Sequence, residues 1–295
     1  METKITGTGV AIVTPFLFSG EVDFGSLTKL LDNIIINGVD FIVGLGTTSE
    51  AVTLSFDEKK EVMKHVIKVV NNRIPVVIGI GGNNTYAVTD EIKNTDFNGI
   101  SAILSVAPYY NKPNQRGIYE HFKAIAEVCP VPIILYNVPG RTSSNISAET
   151  VVKLAEDFKN IVAVKEASGD LSQVMNIIKH MPDGFSVLSG DDALTLPMIA
   201  LGAEGVISVV ANAFPKEFSQ LVNYSLIGDI EDSRVLHYRL IEIIDLLFVD
   251  GNPAGVKAAL EINGLMGNNL RLPMVPVTHD IYLRLAHAIE EIKTK

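Results

Sequence analysis

The sequence contains one cysteine, Cys129, and no tryptophan among its 295 residues. A single cysteine excludes an internal disulfide framework and every metal site built from clustered cysteines. The six histidines lie far apart and form no H-x-x-x-H or H-x-E pattern, so a histidine metal site is not indicated. No G-x-x-x-x-G-K-[ST] motif occurs, and the glycines at 79, 81 and 82 lack the third glycine of a dinucleotide-binding loop. We therefore expect neither a metal nor a nucleotide cofactor.

Basic residues are also scarce: 24 lysines and arginines stand against 34 acidic residues, which gives a net charge of -10. A protein with this charge is repelled by phosphate backbones and anionic lipids, so we expect no nucleic-acid or membrane partner. Residues 1–7 are polar and charged, unlike a signal peptide. The most apolar stretch, residues 197–214, is interrupted by Glu204 and Asn212, which disfavours a membrane-spanning helix. These features predict a soluble, cytoplasmic protein.

What the chain has in abundance is short apolar runs separated by helix-length segments, and 47% of its residues are hydrophobic. Most of these runs are continuous rather than alternating, which is typical of parallel strands buried on both faces. There are eight of them: Val10–Thr14, Phe41–Leu45, Val76–Ile80, Ala102–Val106, Ile133–Tyr136, Val162–Lys165, Ser186–Leu188 and Val206–Val209. The number and length of the units predict a closed (β/α)8 barrel, with an open doubly wound sheet as the alternative.

The strand pattern stops after Phe214, and the remaining segments are helical in character. They are Pro215–Leu226, Asp229–Phe248, Pro253–Met266 and His279–Lys293. We therefore predict a catalytic barrel over residues 1–226 and a small all-helical C-terminal domain over residues 227–295.

In such a barrel, functional side chains follow the carboxyl ends of the strands. Lys165 closes an apolar run there, so its ammonium would enter a largely apolar barrel mouth. Desolvation disfavours a charged ammonium and makes the amine nucleophilic, able to form an imine with a carbonyl compound. The alternative is an ion pair with the adjacent Glu166, although neighbouring strand residues point to opposite faces.

Other polar side chains follow the same strand ends. Tyr136 could donate and accept protons, or could be an ordinary core tyrosine. Thr47 and Thr48 could bind a carboxylate or relay protons, or Thr47 could begin a helix with Glu50 completing a capping box. Arg141 could bind a substrate carboxylate in a bidentate manner, or form a surface salt bridge.

Five motifs follow the strand ends: Gly46-Thr47-Thr48-x-Glu50, Tyr109-Tyr110-Asn111-Lys112-Pro113, Tyr136-Asn137-Val138-Pro139-x-Arg141-Thr142, Val164-Lys165-Glu166-Ala167 and Leu188-Ser189-Gly190-Asp191-Asp192. Taken together, they resemble the motifs of the dihydrodipicolinate synthase family, within the pyruvate-dependent Schiff-base aldolases that include N-acetylneuraminate lyase. The resemblance runs from about residue 9 to residue 278.

The resemblance implies a lyase that condenses pyruvate with L-aspartate 4-semialdehyde to 4-hydroxy-tetrahydrodipicolinate, on the route to diaminopimelate and lysine. It also implies a role for each matching residue. Lys165 would form the imine, Tyr136 would be the acid–base, and Thr47 would link it to Tyr110 of a neighbouring subunit. Thr48 would bind the pyruvate carboxylate and Arg141 the aldehyde's carboxylate, while the Gly190 and Ile207 backbones would line the pocket. A homotetramer built from two tight dimers is implied.

Two departures from the family pattern bear on function. Ser49 replaces the usual glycine in the carboxylate-binding turn, which requires a shifted turn if that position needs a positive φ. Phe56 and Lys59 replace histidines, and Ala87 replaces an acidic residue, where many relatives bind inhibitory lysine. Without a counter-charge, burial of the ligand's ammonium is costly, so we predict weak or absent feedback by lysine.

Two other functions remain open from the sequence. The nearest is another pyruvate-dependent aldolase, acting on a 2-keto-3-deoxy sugar acid or on N-acetylneuraminate. Arg141 distinguishes the two, because an amino-acid semialdehyde offers a carboxylate where a sugar chain offers hydroxyls. The second is a non-catalytic barrel that binds a keto acid, which would need none of the proton-transfer groups Tyr136, Thr47 and Tyr110.

Overall fold

A computed structural model describes residues 5–294 of the protein. The strands in this part of the chain are β1 (Gly7–Ala11), β2 (Phe41–Gly44), β3 (Val76–Gly79), β4 (Ala102–Val106), β5 (Ile133–Asn137), β6 (Ile161–Glu166), β7 (Ser186–Ser189) and β8 (Gly205–Ser208). Each strand pairs in parallel with the next, and β8 pairs with β1. The closed barrel confirms the predicted (β/α)8 fold over the open sheet.

The first strand begins three residues earlier than the apolar pattern predicts, because its glycines belong to the strand. Gly9 lies opposite Phe41 in the β1–β2 register. A Cβ atom on Gly9 would lie 2.2 Å from the Phe41 ring, so the missing side chain makes room for that ring inside the barrel. Glycine within a strand often marks such a close approach.

Alternate strand residues fill the barrel, and the others pack against the surrounding helices. On β6, Ala163 belongs to the inner cluster and Val164 to the outer core. Side chains alternate along a strand, so Lys165 points inward and Glu166 outward. On β5 the same rule sends Tyr136 inward, where it packs in the inner cluster.

The helices are α1 (Phe24–Ile36), α2 (Phe56–Val70), α3 (Thr85–Lys93), α4 (Gln115–Ala126), α5 (Pro139–Thr142), α6 (Ala148–Asp157), α7 (Leu171–His180), α8 (Thr195–Ala200), α9 (Pro215–Leu226), α10 (Ile230–Val249), α11 (Ala254–Ile262) and α12 (His279–Thr294). Polar caps begin many of them; at α2, Ser55 and Glu58 form a complete capping box. Within the described residues, no helix combines the length and apolar character needed to cross a membrane.

After β8 the chain continues as helices, as predicted. α9 packs against β1, and α10 packs along α9, α11 and α12. The segment predicted to be helical from Pro253 to Met266 is shorter, since α11 ends at Ile262 and Pro253 precedes it. The predicted boundary at residue 226 coincides with the end of α9; the division into two domains stays a prediction.

Candidate active site

A cavity of about 570 Å³ opens at the carboxyl ends of the barrel strands. Its polar lining comes from several strand ends and includes Thr47, Thr48, Tyr136, Arg141, Lys165 and Asp191. Gly190 also lines it. Most of the predicted site residues therefore meet in one cavity, at the end of the barrel where sequence reasoning placed them.

Lys165 is the most deeply placed charged group of this cavity. Its side chain is buried, and its Nζ lies 4.4 Å from the centre of the Tyr136 ring. The two residues are register partners on β5 and β6, which explains their proximity. Among residues 5–294, no carboxylate forms an ion pair with Lys165. A buried amine that borders the cavity and has no ion-pair partner is placed for nucleophilic attack on a carbonyl carbon.

Glu166, the alternative partner for Lys165, is occupied elsewhere. It is buried on the outer face of β6 and accepts hydrogen bonds from Asn137 Nδ2 and from Gln173 Nε2 at 2.9 Å. The backbone N–H of Ser168 also donates to it, at 2.7 Å. The ion-pair interpretation of Lys165 is therefore wrong, because strand alternation sends the carboxylate away from the amine.

Gly190 leaves space for the lysine side chain. A Cβ atom at this position would lie 2.6 Å from Cβ of Ala167 and 3.0 Å from Cε of Lys165. Only glycine fits this close approach. The Ile207 backbone was also expected to line the pocket, but Ile207 lies in the inner barrel cluster and is not among the residues that border the cavity.

The turn after β2 carries the two threonines. Thr48 is buried, and its Oγ1 accepts a hydrogen bond of 3.0 Å from Nδ2 of Asn252. Thr47 is exposed at the cavity wall. Glu50 ends the turn in the left-handed region, with φ of 53°, and no helix begins at Thr47. The capping-box alternative is therefore wrong.

Ser49 fits this turn without strain. It lies outside the left-handed region, which Leu45 and Glu50 occupy instead. Its hydroxyl donates to the Ile12 carbonyl at 2.5 Å, and its own carbonyl accepts from Thr14 Oγ1 at 2.7 Å. Serine at this position thus ties the turn to the segment after β1, and the backbone there does not require glycine.

Arg141 and Tyr110 are both exposed but differ in their relation to the cavity. Arg141 lies on α5 at the cavity wall, and no carboxylate in the described part of the chain pairs with it. Its guanidinium is therefore available to an anionic ligand. Tyr110 is 88% exposed, has a φ of 72° and does not border the cavity.

Sequence reasoning missed the contribution of the C-terminal helices. Asp245, Phe248 and Val249, at the end of α10, line the cavity together with the buried Asn252. The sequence predicts a small C-terminal domain but not its contact with the cavity, because helical periodicity does not reveal which part of the barrel a helix covers. Asn252 belongs to no recognisable motif, so nothing in the sequence indicates that it borders the cavity.

A buried charge network joins the C-terminal segment to the threonine turn. Lys257 is fully buried and pairs with Glu50 Oε1 at 2.5 Å. Burial lowers the pKa of Lys257 to about 8, although Glu50 opposes this shift. Arg271 donates to Glu58, and this hydrogen bond lowers the Glu58 pKa to about 2. Both cations lie over the Phe16 ring.

Asp192 joins the ends of β7 and β8 behind the cavity. Its Oδ2 accepts hydrogen bonds from the backbone N–H groups of Val209 and Val210, each at 3.0 Å. Complete burial raises the pKa of this carboxyl, with the hydrogen bonds acting in the opposite direction. Across residues 5–294, no cluster of three or more histidine, cysteine, aspartate or glutamate side chains is arranged to hold a metal ion.

Comparison with known proteins agrees with this geometry. Residues 4–292 match the Dihydrodipicolinate synthetase family. The chain is 51% identical over 294 residues to a 4-hydroxy-tetrahydrodipicolinate synthase of Azobacteroides pseudotrichonymphae, which covers 100% of this chain and 99% of the relative.

Two crystal structures show the same fold. Dihydrodipicolinate synthase from Aquifex aeolicus superposes with a TM-score of 0.95 at 41% identity, covering 98% of each chain. A chloride-inhibited dihydrodipicolinate synthase from Acinetobacter baumannii, complexed with pyruvate, has a TM-score of 0.94 at 41% identity, over 98% and 99% of the two chains. The resemblance inferred from the sequence is confirmed: the chain belongs to the dihydrodipicolinate synthetase family.

Proposed function

We propose that this chain condenses pyruvate with L-aspartate 4-semialdehyde to 4-hydroxy-tetrahydrodipicolinate, through an imine on Lys165. The observation that carries the proposal is a buried amine without an ion pair, lying over Tyr136 at the carboxyl end of a barrel. The curated relative at 51% identity is named for this reaction, and the Acinetobacter relative was crystallised with pyruvate.

In the proposed reaction, the Lys165 amine attacks the keto carbon of pyruvate, and water leaves as the imine forms. The imine acidifies the pyruvate methyl group, which loses a proton to give an enamine. The enamine carbon then attacks the aldehyde carbon of the second substrate, whose oxygen takes up a proton. The amine of that substrate finally displaces Lys165, which closes the six-membered ring and regenerates the enzyme.

The remaining cavity residues bind the substrates and move protons. Tyr136 is the acid–base for these proton transfers, because its phenol accompanies Lys165 on the inner barrel face. Thr48 and its backbone bind the pyruvate carboxylate, and Thr47 continues the proton path toward Tyr110. Arg141 binds the carboxylate of the aldehyde in a bidentate manner. Gly190 lines the pocket, and Ile207 packs below it in the inner barrel cluster.

We further propose that Tyr110 acts in a neighbouring subunit, within a homotetramer built from two tight dimers. Its loop is held outward by two reciprocal hydrogen bonds. Asn83 Nδ2 donates to the Tyr109 carbonyl, and Asn111 Nδ2 donates to the Asn83 carbonyl, each at 3.1 Å. An exposed tyrosine on an outward loop can reach the cavity of another copy more easily than its own.

Two further parts of the proposal follow from the chemistry and the charge. The reaction needs no metal or nucleotide, since imine formation alone makes pyruvate reactive toward an aldehyde. The net charge of -10 disfavours binding to nucleic acid and to anionic membranes. A cytoplasmic location fits a chain whose single cysteine forms no internal disulfide. The sugar-acid aldolase and the keto-acid-binding barrel gain no support from a specific contact in the cavity.

The direct test is product formation by the purified protein from pyruvate and L-aspartate 4-semialdehyde, with dihydrodipicolinate reductase consuming NADPH as the readout. Turnover within about 1–10³ per second supports the proposal. Borohydride with pyruvate should add a stable mass to Lys165. An adduct without turnover of this aldehyde would contradict the substrate assignment and favour sugar-acid substrates. Absence of the adduct would contradict the imine mechanism.

Arg141→Ala separates the two substrates. Loss of a charge-assisted bidentate contact of about 1.5–3 kcal/mol should raise the KM for the aldehyde roughly tenfold to a hundredfold. Trapping of pyruvate on Lys165 should continue at the wild-type pyruvate concentration, because Arg141 does not contact the keto acid. Equal loss of pyruvate trapping would show that Arg141 is assigned to the wrong substrate.

A further inference from the structure

The hydroxyl of Thr48 has its hydrogen-bond partner in a distant part of the chain. Asn252, in the segment between α10 and α11, donates from Nδ2 to Thr48 Oγ1 at 3.0 Å, across 204 positions of sequence. Both side chains are buried, with 3% and 6% exposure, and both border the cavity that contains Lys165. The C-terminal helices therefore reach the residue that binds the keto-acid carboxylate in the proposed function.

The direction of this hydrogen bond decides what Thr48 can do. A hydroxyl has one hydrogen to donate and two lone pairs to accept with. Because Asn252 donates, the Thr48 hydrogen is not used in that contact, and no other atom of residues 5–294 accepts it. A carboxylate can only accept hydrogen bonds, so a hydroxyl that keeps its hydrogen free is the correct partner for it.

The turn that carries Thr48 is held from the same side by two more contacts. Glu50 pairs with Lys257 at 2.5 Å and accepts a hydrogen bond of 3.1 Å from the Arg271 backbone. The backbone around Thr48 is thereby fixed to the C-terminal segment. Once the backbone is fixed, the orientation of the hydroxyl hydrogen depends on Asn252.

We propose that Asn252 is a positioning residue for the keto acid, because its amide commits the Thr48 hydroxyl to donate toward the substrate carboxylate. This inference rests on the proposed function, in which Thr48 binds pyruvate. It assigns to the segment between α10 and α11 a part in substrate binding, in addition to its role in packing.

Asn252→Asp tests the direction of the bond, since an aspartate carboxylate accepts the Thr48 hydrogen and withdraws it from pyruvate. The pyruvate concentration that half-saturates borohydride trapping on Lys165 should rise at least about tenfold, the equivalent of a lost hydrogen bond. The rate at saturating pyruvate should change far less. Lowering the pH from 8 to 6 should bring the half-saturating pyruvate concentration of the variant closer to that of wild type, since a protonated aspartate can again donate a hydrogen bond to Thr48.

Asn263→Asp is the matched control. Asn263 also donates from Nδ2, to the Ala213 carbonyl at 3.2 Å, and it has a buried Oδ1 without a partner in the described residues. It does not border the cavity. Its variant should leave half-saturation by pyruvate within about twofold of wild type, whatever its effect on unfolding.

A double-mutant cycle tests whether Asn252 affects pyruvate binding through the Thr48 hydroxyl, and it does not depend on how well Asn252→Asp folds. Thr48→Val removes the hydroxyl while keeping its shape, so Asn252→Ala should add nothing to half-saturation by pyruvate in that background. Independent, multiplicative effects would overturn the proposal, as would an unchanged Asn252→Asp enzyme. These two outcomes refute only the role of Asn252, because the wild-type protein would still form the pyruvate adduct on Lys165. If the wild-type protein formed no adduct, the proposed function itself would be refuted.

Discussion

Among residues 5–294 two lysines are buried, and they differ in the partners of their amines. Lys257 pairs with Glu50 at 2.5 Å, donates to the Asn269 carbonyl at 2.9 Å and lies 4.2 Å from the centre of the Phe16 ring. Lys165 also lies over an aromatic ring, that of Tyr136, but no carboxylate in the described residues pairs with it. The first amine has partners that hold it in place, whereas the second is available for reaction.

The difference shows how one side chain serves stability or catalysis according to its neighbours. A buried ion pair strongly penalises removal of either partner, because the other charge is left buried and unpaired. An amine without a counter-ion can be removed at little cost to the fold, but its nucleophilicity is lost with it. Matched substitutions at the two positions should therefore have opposite effects.

Lys165→Met should cause the largest loss of catalytic activity among these variants. We expect turnover to fall roughly 10³-fold or more, as on removal of other enzymic nucleophiles. Borohydride with pyruvate should no longer add mass to the protein. The free energy of unfolding, measured with urea, should stay equal or rise, since a buried polar amine without an ion-pair partner is replaced by an apolar chain of similar length. Continued labelling would identify another lysine as the nucleophile.

Lys257→Met should reverse this pattern. The Glu50 carboxylate would be left buried without its counter-ion, at a cost of about 3–5 kcal/mol in the free energy of unfolding. Urea denaturation measures this loss, and Lys257→Met/Glu50→Gln should recover part of it, because no buried charge is then left unpaired. Pyruvate adduct formation should persist at temperatures where the variant is folded. A destabilisation no larger than that of Lys165→Met would refute the comparison.

The charge network beside Lys257 should also add a pH dependence to stability. Glu58 has a pKa of about 2 in the folded protein, below its ordinary 4.5, because Arg271 donates to its carboxylate. The stabilisation is complete above pH 4.5 and is lost as the pH falls from 4.5 toward 2. Since the pair is partly exposed, we expect about 1 kcal/mol.

Urea denaturation of Glu58→Gln against wild type, at several pH values within this window, measures the effect. The difference in the free energy of unfolding between the two proteins should shrink on acidification. A difference that is constant with pH would contradict the assigned pKa shift.

The smallest expected effect concerns a third lysine, Lys59, and inhibition of the enzyme by free L-lysine. Lys59 and Phe56 stand where many relatives have histidines, and Ala87 stands where they have an acid. Lys59, Val52 and Tyr109 line a second cavity, which shares Thr47, Tyr136 and Arg141 with the active-site cavity. A bound L-lysine would bring a second ammonium close to Lys59. Position 87 supplies no carboxylate, and Glu91, which also lines this cavity, is already opposite one cation, Lys59, so L-lysine should inhibit weakly or not at all. Inhibition at micromolar L-lysine in the coupled assay would contradict this prediction.

Much of the fold and the centre of the site follow from the sequence, for local reasons. Continuous apolar runs predict parallel strands because both faces of such strands are buried. Lys165 and Tyr136 end two of these runs, and alternation along a strand is enough to point both side chains inward. The first strand begins earlier than the apolar pattern predicts, because Gly9 contributes nothing to such a pattern although the Phe41 ring fills the space beside it.

The site beyond those strand ends could not be predicted, because it depends on contacts between distant segments. The local sequence allows Glu50 to complete a capping box with Thr47, but in the structure it pairs with Lys257, more than two hundred residues away. Asn252 carries no motif, yet it donates to Thr48. Such contacts depend on how α10 and α11 pack over the barrel.

The eight-unit barrel and the strand ends that hold its reactive side chains follow from periodicities of the local chain, so they can be derived from the amino-acid order. Which buried lysine has an ion-pair partner, and that the C-terminal helices complete the wall of the cavity, depend on how distant segments pack. A charge is stabilised by whatever group lies within a few ångströms in space, wherever that group stands in the chain. For Lys257 that group is Glu50, which the chain brings close only by folding.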